Sequence, residues 1–501
     1  MKMKSSINLL YASCNQKFWT SIANQLFTEE RFIPRFWIGD LSEREHSNNY
    51  LPTKQRLNYL FPELIIQDLI PSCKDRWVDE VGNLDIEANK IESWVQQIPQ
   101  YRVHAIKMIE RQDVYYTMDE SEKWRFFIKI LTRALTIVKT LDVNFFIGGQ
   151  VPHHISTFSL YLSCKYLDIP TVFFVGTCVP EMVIPFEDVF KNNLGNCNSR
   201  NVHKGIQSDQ LKNELERINS KSHPLRRLRP EYNYLHFVTR ILKAYKLFKT
   251  TKSYYIPKDK NLKRYMSNLE QSMLKIRDNK RTRSLQTFYE SLCAPFDLNS
   301  PFVLVALHMQ PEATTCPLGG QYVDQLLMVK HLHDNLPNGW SLYVKEHSAQ
   351  FKSHFDRSIG RSKDFYRYMD GLPNVRLISS ELSSFELINK SKAVATVTGT
   401  IGWEALVNGI PVLAFGNAWY SSCSGCYEVD SSSDVKKALS EIEKLNDLRT
   451  FDTQGFLSRI ESECAWRTPS DPNRPTTISS DVAASSHVRV LRNYISLKNK
   501  Q

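Results

Sequence analysis

The feature that most constrains the fold is a repeated order of short apolar runs and helix-like segments in the second half of the chain. The runs are PFVLVAL, SLYVKE, VRLIS, AVATV and VLAFG, and segments with helical spacing of apolar residues separate them. Continuous apolar runs are typical of strands buried on both faces, and a helix between successive strands is how parallel strands are connected. Residues 301–416 therefore predict a parallel α/β sheet.

The first part of the chain has the same order of elements. INLLYA and FIPRFWI are predicted strands with a helix between them, and residues 91–141 are mostly helical. VNFFIGG and TVFFV are two further strands, and a helix over residues 156–167 joins them. A strand, a helix and a parallel strand form the crossover unit of a Rossmann-like domain. We therefore expect an α/β architecture with two Rossmann-like domains whose parallel sheets face a cleft.

A basic segment separates these two blocks. Residues 221–283 contain 18 Lys and Arg against 4 Asp and Glu, so this segment carries the whole of the positive excess that gives the chain its net charge of +11. The chain then divides into four regions. They are an N-terminal Rossmann-like domain (1–190), a basic helical insertion or linker (191–295), a C-terminal Rossmann-like domain (296–480) and a C-terminal helix that packs back (481–501).

One part of the basic segment has the pattern of an amphipathic helix. Residues 232–248 place an apolar stripe on one helical face, with basic residues largely elsewhere; the stripe consists of Leu235, Val238, Leu242, Tyr245 and Phe248. Such a helix suits an anionic membrane surface. The alternative is a helix that packs on the N-terminal domain with its charged face in water. We expect this segment to dock on an anionic membrane surface.

Composition excludes several other classes of protein. No window has the roughly 18 uninterrupted apolar residues of a membrane span. The 10 cysteines show no spacing typical of a disulfide scaffold, which favours a cytoplasmic location. Cys423 and Cys426 form a CxxC pair, but no second pair or nearby histidine accompanies it, so we expect no metal site.

The loop after the strand AVATV is the strongest candidate for a ligand site. It reads Thr398-Gly399-Thr400-Ile401-Gly402, and Glu404 follows one turn into the next helix. Small residues let backbone N–H groups approach a ligand, and the helix N-terminus favours a phosphate. The threonine hydroxyls can donate to that phosphate, and Glu404 can accept from a ribose. The alternative is a tight turn with an acid near the helix start.

Three more polar loops follow predicted strands. Lys345, Glu346 and His347 follow SLYV, and His347 can donate to a phosphate and stabilise a departing group; the alternative is a solvated charged loop. Gln310 and Glu312 belong to the loop after PFVLVAL. In the other half, His153 and His154 stand before a helix, where they either cap it or belong to the site. Together these loops predict a cleft that holds a nucleotide on its C-terminal side.

The motifs LHMQPEATTCPLGG, LYVKEH and VTGTIGWEALVNGIPVLAFGNAWY resemble the capsule polysaccharide biosynthesis family, which includes bacterial β-Kdo transferases. The resemblance covers roughly residues 302–420. It implies a GT-B fold and a nucleotide-activated sugar donor such as CMP-Kdo. It also implies a role in making surface polysaccharide on a glycan or lipid-linked acceptor, with neither an obligatory metal nor another cofactor. The acceptors of this family are lipid-linked at the inner membrane, so we expect the protein to be peripheral on that membrane. In these terms residues 1–190 form the acceptor side and residues 296–480 the nucleotide-sugar-binding domain.

Site residues follow from the resemblance where the motifs match. His347 corresponds to the histidine of the family's His-Pro motif, although Ser348 stands where the family has proline. Thr398 and Thr400 correspond to its phosphate-binding loop. No Asp-Gly or Glu-Gly pair is identified as the counterpart of the family's base, so the catalytic candidates are His347, Glu312, His153 and His154. The donor-binding candidates are Gln310, Lys345, Glu346, Thr398, Gly399, Thr400, Gly402 and Glu404.

Two other functions compete with a glycosyltransferase. A nucleotide-sugar 2-epimerase shares the architecture and the loop of small residues, but it needs no acceptor and no basic insertion. A nucleic-acid-binding protein, or a membrane-binding protein without enzymatic activity, would use the basic segment. No helix-turn-helix, zinc finger or RNP motif is present, so specific nucleic-acid binding is not expected.

Overall fold

The structure is a computed structural model, and it describes residues 7–14, 18–39, 60–68, 88–112, 118–191, 208–219, 268–312, 314–351, 360–445, 450–468 and 478–498. The amphipathic stretch at residues 232–248 lies outside these ranges, so the membrane-binding prediction is not tested by the fold.

The first sheet has seven strands in the order β13-β6-β5-β4-β1-β2-β3. Strands β1 to β5 run parallel, while β6 and β13 are antiparallel additions at one edge. The strands are β1 (Ile7–Ala12), β2 (Phe32–Gly39), β3 (Ile65–Asp68), β4 (Phe145–Gly148), β5 (Thr171–Gly176), β6 (Met182–Phe186) and β13 (Ala465–Trp466).

Within the described ranges of this half, several helices accompany the sheet. They are α1 (Phe18–Glu30), α2 (Ala88–Gln96), α3 (Pro99–Gln112), α4 (Glu120–Thr140), α5 (Ile155–Tyr166) and α6 (Asp209–Asn219). Helix α4 begins with a capping box, in which Asp119 accepts from the Glu122 N–H and the Glu122 side chain accepts from the Asp119 N–H. This pairing satisfies two backbone donors that a helix start otherwise leaves open.

The second sheet has six strands, all parallel, in the order β12-β11-β10-β7-β8-β9. The strands are β7 (Phe302–Ala306), β8 (Ser341–Lys345), β9 (Val375–Ile378), β10 (Ala393–Thr396), β11 (Val412–Ala414) and β12 (Cys426–Glu428). The helices of this half are α7 (Asn268–Leu292), α8 (Gln325–Asp334), α9 (Lys363–Asp370), α10 (Ser384–Lys390), α11 (Thr400–Val407), α12 (Ser432–Glu443) and α13 (Thr453–Glu461).

The α/β architecture with two mostly parallel sheets confirms the fold class predicted from the sequence. One helix differs from the prediction. The helical spacing of apolar residues between PFVLVAL and SLYVKE predicts one helix from residue 322 to residue 336, whereas the structure has a 3₁₀ turn (Gly320–Val323) followed by α8. The reason is Asp324, whose extended backbone interrupts the helical path and whose side chain accepts the Leu326 N–H as an N-cap.

The C-terminal part of the chain returns to the first sheet. Strand β13 pairs with β6, and the last helix, α14 (Ser480–Lys498), packs against α1. His487 of α14 is buried among the rings of Phe18, Trp19 and Phe174. The domain boundaries drawn from the sequence stay predictions.

Among the described residues, no helix is both long and apolar enough to cross a membrane.

Buried neutral histidines predict a pH-dependent stability. Burial lowers the pKa of His487 to about 4 and that of His104 to about 3, whereas an unfolded histidine titrates near pH 6.5. The unfolded state therefore binds more protons between these values. The contribution of each neutral histidine to the free energy of unfolding is fully present above about pH 6.5. It falls as the pH drops towards 4, by up to about 1.4 kcal/mol per pH unit for each histidine.

Urea unfolding between pH 7.5 and pH 5 measures this loss. The matched variant His487→Phe replaces the ring with one that cannot bind a proton, so its stability should fall less steeply with acid. An unfolding free energy that stays constant over this pH range in the unmodified protein would contradict the prediction.

Candidate active site at the switch points of the two sheets

The strand order reverses at one point in each sheet. In the second sheet the reversal lies between β7 and β10, and in the first it lies between β1 and β4. Ligands of open α/β sheets bind at such points, beyond the carboxyl ends of the strands. The loops that follow β7 and β10 contain Glu312 and Thr398, and the loop that follows β4 contains His153. Each switch point thus carries residues that the sequence singled out.

His308, which follows β7, joins the two loops at the second switch point. Its Nε2 accepts the N–H of Thr398 at 3.0 Å and lies 3.2 Å from Thr396 Oγ1. Because Nε2 accepts, the ring proton lies on Nδ1, which donates to Glu312 Oε2 at 3.0 Å. His308 therefore fixes the position of the Thr398 backbone and of the Glu312 carboxylate at once.

Glu312 is held from two sides. Thr314 Oγ1 donates to the second carboxylate oxygen at 3.2 Å. Burial raises the pKa of Glu312, but the hydrogen bond from His308 and the interactions with Thr314 and His347 outweigh it and leave the pKa below its ordinary value. Glu312 is therefore a carboxylate at neutral pH. His347 lies near enough to Glu312 to influence the pKa of this carboxyl group.

The Thr398 loop leads directly into α11. Gly399 is the N-cap residue, and it has no side chain with which to cap the helix. The hydroxyl of Thr398 is buried and has no hydrogen-bond partner within the described part of the chain. Thr400 is exposed at the first position of the helix, and Glu404 is half-buried one turn further on. Uncapped N–H groups and an unsatisfied hydroxyl together are a suitable receptor for an anionic group.

Both glycines of this loop are required by neighbours within the protein. A Cβ on Gly399 would lie 2.7 Å from Thr396 Oγ1, and a Cβ on Gly402 would lie 2.2 Å from the Tyr420 hydroxyl oxygen. The Tyr420 hydroxyl also donates to the Gly399 carbonyl at 2.5 Å. A larger residue at either glycine would disturb this packing directly, so such a substitution cannot by itself test whether the loop holds a ligand.

The loop after β8 contains a buried ion pair. Glu346 is fully buried and accepts from Arg361 Nε at 2.8 Å and from the Tyr366 hydroxyl at 2.8 Å. Its other oxygen accepts the N–H of His347 at 2.7 Å. Arg361 in turn donates to the His308 carbonyl at 2.7 Å. The pair therefore connects the loop after β7 with the loop after β8.

Two more of the predicted donor-binding residues have protein partners. Lys345 is buried and donates from Nζ to the Ser380 carbonyl at 3.0 Å. Gln310 is buried, its N–H donates to Gln350 Oε1 at 2.6 Å, and its Nε2 donates to Thr315 Oγ1 at 2.7 Å. Like Glu346, these side chains form hydrogen bonds to other parts of the protein and hold the loops in position. Their role as donor ligands stays a prediction.

His347 itself is exposed. Its Nδ1 accepts the Ala349 N–H at 3.1 Å, so the proton of the neutral ring lies on Nε2. Desolvation of the ring by its surroundings lowers the pKa of His347, although the nearby Glu346 and Glu312 carboxylates act in the opposite direction. The ring therefore presents an N–H donor at neutral pH.

The first switch point places His153 and His154 side by side, with ring centroids 4.2 Å apart. His154 occupies the N-cap position of α5 without a side-chain capping bond, so the capping alternative is not supported. His153 Nδ1 donates to the Val151 carbonyl at 2.7 Å, which leaves Nε2 with a free lone pair on a neutral ring. Burial and the charge of Arg111 lower the pKa of His153 to about 4, while burial, His153 and Arg111 lower that of His154 to about 3.

Helix α3 connects the two halves. His104 Nδ1 lies 3.4 Å from Cys316 Sγ, and Arg111 Nη1 donates to the Glu312 carbonyl at 3.1 Å. The other arm of Arg111 donates to the His153 carbonyl. A cavity of about 100 Å³ lies between α3 and the loop after β7, with Lys107, Arg111, Gln310, Glu312, Cys316 and Arg361 among its lining residues.

The structure thus brings Glu312, His347 and Thr398 to one edge of the second sheet, and it joins His153 to Glu312 through Arg111. Sequence reasoning did not assign roles to His308, Arg111 and Arg361. His308 directly follows a buried strand, which is the signal that could have identified it. Arg111 and Arg361 have no such signal, since each acts across a contact between distant parts of the chain.

No group of three or more His, Cys, Asp or Glu side chains in the described ranges is arranged to hold a metal ion.

Comparison with known proteins gives one family match and several similar structures. Residues 243–428 match the capsule polysaccharide biosynthesis protein family. The curated proteins contain no match. Among solved structures, the β-Kdo 2,7 transferase KpsC of Thermosulfurimonas dismutans is 17% identical, over 45% of this chain and 67% of that chain, with a TM-score of 0.24.

Two other structures are similar over larger shares of the chain. The β-Kdo 2,4 transferase KpsC of the same organism is 12% identical over 69% of this chain and 87% of that chain, with a TM-score of 0.30. The UDP-GlcNAc 2-epimerase of Methanocaldococcus jannaschii is 8% identical over 91% of this chain and 99% of that chain, with a TM-score of 0.26. At these scores the similarities carry no argument about activity.

The family match covers the second sheet from before β7 to the end of β12, which includes His308, Glu312, His347 and the Thr398 loop. It confirms the resemblance that the motifs indicated. Residues 243–428 are thus similar to the capsule polysaccharide biosynthesis protein family, and the chain has the two-sheet, GT-B-like architecture that the sequence predicted.

Proposed function

We propose that the protein transfers a sugar from a nucleotide donor to a glycan or lipid-linked acceptor during the synthesis of a bacterial surface polysaccharide. The observation that carries the proposal is the start of α11 at the switch point of the second sheet. There, uncapped backbone N–H groups and the unsatisfied Thr398 hydroxyl lie beside the Glu312–His308 pair. The phosphate of a nucleotide sugar supplies the acceptor oxygens that these donors lack.

Two histidines of the site have complementary proton chemistry. His347 holds its proton on Nε2 and can donate it to a phosphate oxygen, while His153 holds its proton on Nδ1 and offers a lone pair on Nε2. The first histidine suits a leaving group that gains negative charge. The second suits a general base that accepts the proton of an acceptor hydroxyl.

The proposed transfer needs only the donor and the acceptor as reactants. His153 Nε2 takes the proton of the acceptor hydroxyl as its oxygen bonds to the anomeric carbon of the donor sugar. The bond from that carbon to the phosphate oxygen breaks, and its electron pair stays on the nucleotide. The N–H of His347 and the N-terminus of α11 stabilise the resulting charge.

The donor follows from the family resemblance, and CMP-Kdo is the specific proposal. Incubation of the purified protein with CMP-Kdo, other CMP-sugars and UDP-sugars, each with and without bacterial membrane lipid extract, tests it. We expect release of the nucleotide and a labelled glycolipid only when the acceptor is present. A change of the donor sugar without any acceptor would instead identify an epimerase and contradict the proposal.

We also propose that the basic segment brings the enzyme to an anionic membrane surface where a lipid-linked acceptor resides. Its charge supports this, because each Lys or Arg near the headgroups contributes about 1 kcal/mol to binding. The protein should co-sediment with vesicles that contain phosphatidylglycerol, and raised salt should release it, since the attraction is electrostatic. Equal recovery in the supernatant with anionic and neutral vesicles at low salt would contradict this prediction.

A further inference from the structure

One guanidinium group lies between the two switch points. Arg111, at the end of α3, donates from Nη1 to the carbonyl of Glu312 and from Nη2 to the carbonyl of His153. The first acceptor belongs to the loop after β7 of the second sheet, and the other belongs to the loop after β4 of the first sheet. A planar guanidinium with several N–H donors in fixed directions can hold two such carbonyls at a set separation, whereas an ammonium group cannot.

Arg111 belongs to a helix that forms a contact between the domains. His104 lies two helical turns before Arg111 on a similar face, and its ring contacts Cys316 of the second half. Position 104 is buried, and so is its partner Cys316. Packing therefore holds this contact at His104, and hydrogen bonds hold it at Arg111.

We propose that Arg111 is the positioning residue that couples the acceptor-side histidine loop to the donor-side Glu312 loop. It fixes the separation of the two loops and places a positive charge beside His153. The roles of the two sides rest on the proposed transfer reaction, but the link between the loops is a property of the free protein and can be measured without substrate.

The charge of Arg111 gives the proposal a direct signature. His153 faces Arg111, His154 and its own Val151 carbonyl, and both Arg111 and burial lower its pKa. Removal of the charge should therefore raise the pKa of His153, from about 4 by on the order of one unit. Because burial also lowers this pKa, a lysine at position 111, which keeps the charge, is needed to separate the effect of the charge from that of looser packing.

The experiment compares Arg111→Gln with Arg111→Lys and with the matched control Lys107→Gln. Lys107 lines the same cavity one helical turn earlier, and it makes no hydrogen bond to either loop among the described residues. The ring of His153 is titrated by NMR with selectively labelled histidine. Amide hydrogen exchange, followed by mass spectrometry, reports on the loops at residues 150–154 and 308–312.

Arg111→Gln should raise the pKa of His153 and increase exchange in both loops together. Arg111→Lys should keep the titration close to that of the unmodified protein while exchange increases in at least one loop, because its charge stays but its fork of donors is lost. Lys107→Gln should change neither measurement. Should Arg111→Gln not fold, the lysine variant still decides the outcome through exchange.

An unchanged His153 titration in Arg111→Gln, or exchange that increases only along α3, would overturn the proposal. Both measurements use the free protein. A protein that behaves as expected here but transfers no sugar would contradict the proposed function alone, so failure of the two proposals can be told apart.

Discussion

Replacement of His347 with alanine should lower the turnover of sugar transfer by on the order of 10²–10³ while the protein stays folded, because a donor that stabilises developing charge is worth that much in rate. His347 is exposed, and its ring makes one backbone contact, with Ala349 N–H, so its loss should cost little stability. Initial rates at saturating donor and urea unfolding of the same preparation measure the two effects.

The variant His347→Gln is the matched control for this prediction, because its side-chain amide keeps an N–H donor in about the same region. It should retain more turnover than the alanine variant. Near-normal turnover of His347→Ala would show that the ring is not part of the reaction.

Replacement of Glu346 with glutamine should lower the free energy of unfolding by roughly 3–5 kcal/mol, because it leaves a buried cation without its counter-charge. Arg361 is 5% exposed and Glu346 is fully buried. Burial lowers the pKa of Arg361, but the Glu346 charge and hydrogen bond outweigh this and raise it above the ordinary value. A guanidinium is not deprotonated in proteins, so Arg361 stays charged when its partner is removed, and urea unfolding measures the cost.

An exposed pair in α9 provides the control. Asp364 and Arg367 are 2.6 Å apart with side-chain exposures of 86% and 60%, so Asp364→Asn should change stability by less than about 1 kcal/mol. If Glu346→Gln proves as mild as Asp364→Asn, the buried pair does not hold the loops after β7 and β8 together.

The sequence predicted the sheets well because their strands are continuous apolar runs. The runs AVATV and VLAFG have the pattern of strands in a parallel sheet, and they form β10 and β11 in the structure. The antiparallel addition of β13 was not predictable. Its two residues, Ala465 and Trp466, have no strand period, and their pairing with β6 depends on a contact between distant parts of the chain.

For the site residues, position in the sequence predicted where each residue lies better than it predicted what the residue does. Thr398, His347 and Glu312 were found because each follows a strand, and all three lie at the carboxyl edge of the second sheet. Glu346 has the same sequence signal as His347 but points to a buried arginine. Neighbouring residues in a loop can face opposite ways, and only the positions of Arg361 and Tyr366 reveal which one is buried.

The glycines of the Thr398 loop show the same limit. Small residues in a strand-to-helix loop predict a close approach, but the pattern does not identify the group that approaches. At Gly402 that group is the Tyr420 ring, 18 residues further along the chain. The space predicted for a phosphate is, at this position, filled by the protein.

The central claim is that the Thr398 hydroxyl and the start of α11 bind the phosphate of a nucleotide donor, and Thr398→Val tests it most directly. Valine has the shape of threonine without the hydroxyl, and this hydroxyl is buried without a partner within the described ranges. The variant should be at least as stable as the unmodified protein, because it no longer buries an unsatisfied polar group. Isothermal titration with CMP, CMP-Kdo and UDP-sugars should show affinity for the bound donor reduced by about tenfold or more, since a hydrogen bond to a charged group contributes roughly 1.5–3 kcal/mol. Equal affinity of Thr398→Val and the unmodified protein for that nucleotide would contradict the claim.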